Sequence, residues 1–238
     1  MAEVTLEELI ALLGLDPRRP RFAGVDLSGA DLSGLDFSRL IFRNAYLIRA
    51  DLSRCNLRGA DLFRARLSGA RLVEAELNEA VLGWSHLEGA DLSGACLDGA
   101  DLLDALLPDA RLTGASLVRA CLRNCDLTTA HLGAARLTGA DLSRTTLRGA
   151  DLTAADLTGA DLVMSDLTGA NLATARLTNT RLRGAQLLSA NLEGADLRGA
   201  DLSATRLDHA RLAGADLTGA NLAGTDLAVA EGVEGGRP

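Results

Sequence analysis

The sequence predicts an all-β fold: a solenoid of stacked square coils forming a parallel β-helix about ten coils tall, with a short α-helix capping its N-terminal end. Three observations predict it. Every fifth residue from Leu27 to Leu227 is large and apolar without a slip of register, and of these 41 positions 39 are Leu and two are Phe, at Phe37 and Phe42. Two residues before each stands a second column, Ala at 30 of 41 positions and mostly Ser, Thr or Cys elsewhere. Ahead of both columns, Val4 to Gly14 reads as a capped amphipathic helix.

Period five excludes the regular elements. On an α-helix, steps of five advance about 500°, so the leucines would drift around every side. On one long strand they would alternate between opposite faces. A chain that always sends residue five inward must turn once per repeat. Four turns close a square coil, and coils stacked about 4.8 Å apart pair their backbones into a rod on the order of 50 Å long.

The unit Ala-(Asp/Asn)-Leu-x-x, as in Ala30-Asp31-Leu32-Ser33-Gly34, resembles the pentapeptide-repeat family and runs in tandem from roughly Val25 to Val229. The resemblance implies a right-handed quadrilateral β-helix, with the Leu/Phe and the small residue inward and the other three positions facing solvent. The residues suit those places. Leu fills the core, Ala lets the walls approach, Asp or Asn can bond backbone groups at a corner, and Gly tolerates the tight turn.

At the N-terminus, Thr5 and Glu8 form a capping box, Val4 and Leu9 a hydrophobic staple, and Gly14 a C-terminal stop. Leu6, Leu9, Ile10 and Leu13 make one apolar stripe. So short a helix needs support. It is expected to lie as a lid over the first coil, joined through Asp16 to Arg21, with docking to a partner as the alternative. The chain divides into a capping helix and linker (1–21), the repeat domain (22–230) and a flexible Gly-rich tail (231–238). No second capping helix is visible in the tail. Either Val229 and Val233 fold across the last coil, or two chains meet there as a homodimer; otherwise Leu212, Leu217, Leu222 and Leu227 would be exposed.

The acidic start and the lack of a long uncharged stretch lead to the expectation of a soluble cytoplasmic protein without membrane contact. Cys55 and Cys125 fall in the small inward column, whereas Cys96 and Cys121 point outward on adjacent faces, so no disulfide framework is expected. His86, His131 and His209 show no metal-ligand spacing. There is no Gly-x-Ser-x-Gly, phosphate loop or dinucleotide fingerprint, and a coil packed with Leu has no recess for catalysis. A non-enzyme without metal or cofactor is expected.

The acidic balance raises another function. The resemblance implies it, since some family members protect DNA gyrase and topoisomerase IV by imitating DNA and so confer resistance to topoisomerase poisons. Here 17 of the 22 Asp residues occupy the position before the inward Leu, where the repeat itself asks for Asp or Asn. B-DNA carries about one charge per 1.7 Å, or nearly 30 over a rod of this length. The chain's formal charge is only −8. Residues twenty apart also alternate in sign, as in Asp51, Arg71, Asp91, Arg111 and in Arg136, Asp156, Arg176, Asp196. Such ladders neutralise the surface. The projecting loops and C-terminal helix common in gyrase-protecting relatives are not evident.

The departures from the repeat are outward residues that are large and apolar. Placed modulo twenty, Phe63, Val81, Trp84 and Leu103 share one face, and Tyr46, Ile48, His86, Leu106 and Pro108 lie just around its corner. Val163-Met164 is an isolated, weaker exception. Patches of this kind mark contact sites with aromatic anchors. The leading reading is a non-catalytic scaffold that holds a protein partner, with no direct nucleic-acid contact. A topoisomerase-protecting DNA mimic, with gyrase or topoisomerase IV as the partner, is the alternative.

Overall fold

The computed structural model describes residues 5–12, 14 and 21–232. From Arg21 to Glu231 the backbone is one quadrilateral solenoid whose parallel bridges join each residue before an inward Leu to the residue twenty further on, from Arg21↔Ile41 to Arg211↔Glu231. The repeat Ala140-Asp141-Leu142-Ser143-Arg144 shows why five residues suffice for a side and a corner. The Asp141 N–H donates to Ala120 O in the preceding coil (3.0 Å), while those of Leu142 and Arg144 donate to Asp161 O (2.7 Å) and Val163 O (2.9 Å) in the following one. Thr145 N–H closes the turn onto Leu142 O (3.2 Å), and Arg144 at φ 59° gives that turn the positive-φ third residue of type II.

One donor remains, the N–H of Ser143, and Asp141 Oδ1 accepts it at 3.0 Å. The same bond recurs from Ser28 to Asp26, Ser53 to Asp51, Ser93 to Asp91 and Thr168 to Asp166. Asn does the same work at Asn56 and Asn191. Where the outward position is Asp or Asn, its carboxylate or amide oxygen is thus the acceptor that completes the backbone's hydrogen bonding at the corner, as in an Asx-turn.

Inside, the Leu column is buried along nearly its whole length. It extends one step below Leu27 to Phe22, whose ring stacks on Phe42 (4.7 Å) and meets Phe37 edge-on (5.8 Å). Most polar members of the small column are satisfied by backbone carbonyls, the buried Ser85 Oγ being without a partner. Cys55, Cys125, Thr145 and Thr180 donate to Leu32 O, Leu102 O, Leu122 O and Leu157 O at 2.7–2.9 Å. Burial pushes the Cys55 thiol up to about 12 and raises Cys125 as well, so both behave as packing groups.

The two ends differ. Helix α1 (Leu6–Leu12) begins with the expected capping box: Glu8 Oε2 accepts from Thr5 N–H (2.8 Å), and Thr5 Oγ1 accepts from Glu8 N–H (3.2 Å). Leu9 and Ile10 are buried in the same cluster as the solenoid core, with Leu6, Val25, Leu35 and Leu40 half-buried beside it. The staple residue Val4, the stripe residue Leu13 and linker residues 15–20 lie outside the described residues. At the far end, of the four leucines that an uncovered last coil would expose, Leu212 is buried. The chain above it continues the coil in register, with Leu212 N–H donating to Glu231 O (2.8 Å) and His209 N–H to Val229 O (2.9 Å). Leu217, Leu222 and Leu227 are only half-buried there, and Val229 is exposed. Val233 and the rest of the tail lie outside the described residues.

A candidate partner-docking edge

The corner turns place one stack of residue pairs along a single edge of the rod: Arg43-Asn44, Phe63-Arg64, Gly83-Trp84 and Leu103-Asp104, each one coil above the last. Their backbones interlock, with Arg64 N–H donating to Gly83 O (3.0 Å) and Trp84 N–H to Leu103 O (2.9 Å). Trp84 is the third residue of the turn Leu82–Ser85, with φ 57°. This conformation points the indole off the corner and leaves it 51% exposed. The Phe63 ring packs beside Gly83, where a Cβ would meet the ring at 3.5 Å and Leu103 O at 3.4 Å, ordinary contact distances. On the face before this edge, Val81 is bridged between Asp61 and Asp101. On the face after it, Tyr46, Arg66, His86 and Leu106 form one bridged column.

The structure therefore brings together the residues singled out from the sequence, around an edge rather than flat on one face. Tyr46, Trp84 and Leu106 are exposed, while Ile48, Phe63, Val81, Leu103 and Pro108 are half-buried. The patch is not simply apolar. Arg43 and Arg64 lie over the Phe63 ring at 5.5 and 5.3 Å, Arg64 also over Trp84 at 6.0 Å, and Arg66 over Tyr46 at 5.0 Å. Asn44, Tyr46, Arg64, Arg66, Trp84 and His86 line a recess of about 310 Å³. Sequence reasoning missed these arginines because it searched for apolar departures alone; their positions modulo twenty put them between the rings.

Met164 stands 80 residues beyond Trp84, four whole coils, on the same edge about 19 Å away, with Asp104, Asn124 and Arg144 between them. Its 62% exposure is the highest among the exposed large apolar residues, and its Sδ lies over Gly184, where a Cβ would come within 2.7 Å. Of the exposed large apolar side chains described, all but Val229 lie on this edge or the face beside it.

Elsewhere the surface is polar and internally compensated. Asp51 and Arg71 of the first charge ladder pair at 3.5 Å, and further pairs such as Arg58–Glu76 and Arg181–Asp161 (both 2.8 Å) join neighbouring coils. Hydrogen bonds from Ser28, Ser203 and Thr218 hold Asp26, Asp201 and Asp216 below their usual range, and Arg198 does so for Asp196. Partial burial works against it, but Ser68 and His86 likewise hold Glu88 low. All four cysteines are free. Among the described residues no three His, Cys, Asp or Glu side chains converge as a metal site, and no helix is long and apolar enough to cross a membrane.

The family described as Pentapeptide repeats matches at residues 21–59, 65–104, 90–128, 125–163, 135–172, 165–203 and 195–228. Among solved structures, HetL from the cyanobacterium Nostoc sp. strain PCC 7120, described as involved in heterocyst differentiation regulation, is 33% identical, with 98% of this chain and 99% of that chain covered and a TM-score of 0.64. QnrB1, a plasmid-mediated fluoroquinolone resistance protein, is 19% identical over 70% of this chain and 86% of that chain, with a TM-score of 0.36. A pentapeptide repeat protein of the Arabidopsis thaliana thylakoid lumen is 29% identical over 56% of this chain and 79% of that chain, with a TM-score of 0.26. No curated protein sequence matches the chain.

Proposed function

This chain belongs to the pentapeptide-repeat family of right-handed quadrilateral β-helices, and from that premise we propose that it is a non-catalytic scaffold holding a protein partner along the edge marked by Trp84. One observation carries the reading. The third turn position is elsewhere mostly Gly or a small or polar residue, yet here it presents a half-exposed indole beside the half-buried Phe63. Exposed aromatics beside half-buried apolar neighbours are the anatomy of an interface anchor. Met164, on the same edge, supplies a second foothold for an extended partner.

The test is capture of partners from the source cell extract by the intact protein and by a Phe63→Ala/Trp84→Ala variant. The variant should lose the partner and melt within a few degrees of the parent. Unchanged capture sinks the proposal.

The DNA-mimic alternative finds no support in the charge layout. Seventeen aspartates are the acceptors, or stand in the position of the acceptors, that the repeat needs at its corners, and arginines neutralise several of them across coils. A gyrase supercoiling assay with and without a fluoroquinolone is expected to show neither inhibition nor protection at roughly tens of micromolar protein, a concentration at which a contact worth about −7 kcal/mol would register. At the C-terminal end, the half-buried Leu217, Leu222 and Leu227 favour a second copy of the chain as cover, hence an end-to-end homodimer. Sedimentation at the monomer mass of 24.7 kDa would exclude it.

A further inference from the structure

We infer that the recess between Tyr46 and Trp84 receives a carboxylate-bearing segment of the protein partner, an inference that rests on the docking edge proposed above. The observation is a local charge imbalance. Arg43, on the corner beside the recess, is paired with Asp61. His86 is engaged by Glu88 at 2.9 Å. Arg64 and Arg66, which line the recess, form no ion pair with any described carboxylate and instead lie over Trp84, Phe63 and Tyr46. Stacking engages the face of a guanidinium and leaves its in-plane N–H donors for a planar acceptor, and a carboxylate matches that fork in two parallel hydrogen bonds. Two such cations side by side, each held against an aromatic ring, suit an anion in this recess.

The surroundings favour an acidic peptide over a polynucleotide. Asp61, Glu88 and Asp104 flank the recess and would repel a continuous line of phosphates. Leu103, Leu106 and Pro108 beside it offer apolar seats for the residues on either side of a single carboxylate.

The chain has one tryptophan, and it lines the recess, so its emission reports on this site alone. The full-length protein is titrated with a short capped peptide of alternating Glu and Leu, with the same peptide carrying Gln for Glu, and with oligothymidylate. The Glu peptide should give a saturable change in emission that Arg64→Gln/Arg66→Gln weakens at least about tenfold, and the Gln peptide should give none. No saturable change, an equal response to the Gln peptide, or a stronger response to oligothymidylate overturns the inference. Partner capture separates its failure from that of the docking edge. If Phe63→Ala/Trp84→Ala abolishes capture while Arg64→Gln/Arg66→Gln does not, the acidic-segment inference falls and the edge stands. If neither variant changes capture, both fall.

Discussion

Replacing Asp91, Asp126 and Asp151 together, once by Asn and once by Ala, separates charge from hydrogen bonding in the outward acidic column. Each of the three accepts from an N–H two residues on, at Ser93, Thr128 and Thr153, with a distance of 3.0 Å in each case. Alanine leaves those donors to water at half-buried corners. The comparable loss at a helix N-cap is about 1 kcal/mol. The three sites lie on separate repeats and share no partner, so the Ala triple should cost about 3 kcal/mol. Asparagine keeps the acceptor. At Asn56, Asn191 and Asn221 its Oδ1 takes the same N–H at 3.2 Å, slightly longer and without charge assistance. The Asn triple should therefore cost about 1 kcal/mol or less. Urea denaturation midpoints, followed by circular dichroism and by amide exchange at the affected corners, measure both. If the Asn triple is as damaging as the Ala triple, charge rather than acceptor geometry holds the column. If the Ala triple is as stable as the parent, the column is not structural and the acidity must be explained by function.

Three further outcomes follow from the same structure. Asp26, Asp201 and Asp216 are held below their ordinary pKa by hydrogen bonds from Ser28, Ser203 and Thr218. Their contribution is complete above the unfolded value of about 3.9 and is lost as pH falls through the lower folded values, so the melting temperature should be flat from about pH 7 to 5 and drop below about pH 4. A melting curve that already falls between about pH 7 and 5 would contradict this assignment. In the core, Leu132→Ala, at a fully buried position, should cost about 2–5 kcal/mol in denaturation experiments; a loss below about 1 kcal/mol would mean that the coil walls close over the cavity. Trp84→Gly trades a half-exposed indole for relief of a left-handed conformation at φ 57°. The lost burial of about 1 kcal/mol and the entropy cost of Gly are offset by the about 1–2 kcal/mol recovered, so stability should change by no more than about 1 kcal/mol. A much larger loss would show that the indole is a structural element.

The solenoid was legible in the sequence because period five admits so few solutions: Leu27 to Leu227 cannot all point inward in any helix or single strand. The Asp column was legible as a corner acceptor for the same reason, since it holds a fixed place relative to each turn. What depends on side-chain direction was not legible. Arg64 and Arg66 gain their place only through the corner that turns them onto Trp84 and Tyr46.

Hydroxyl-radical footprinting of the complex isolated from cell extract tests the docking edge most directly, because it reads the surface without altering it. Oxidation of Trp84 and Tyr46 should fall several-fold relative to the free protein, and that of Met164 with them if the partner extends along the edge, while His131 on another face should be oxidised at the same rate in both. Equal oxidation of Trp84 in the free protein and the complex would contradict the account.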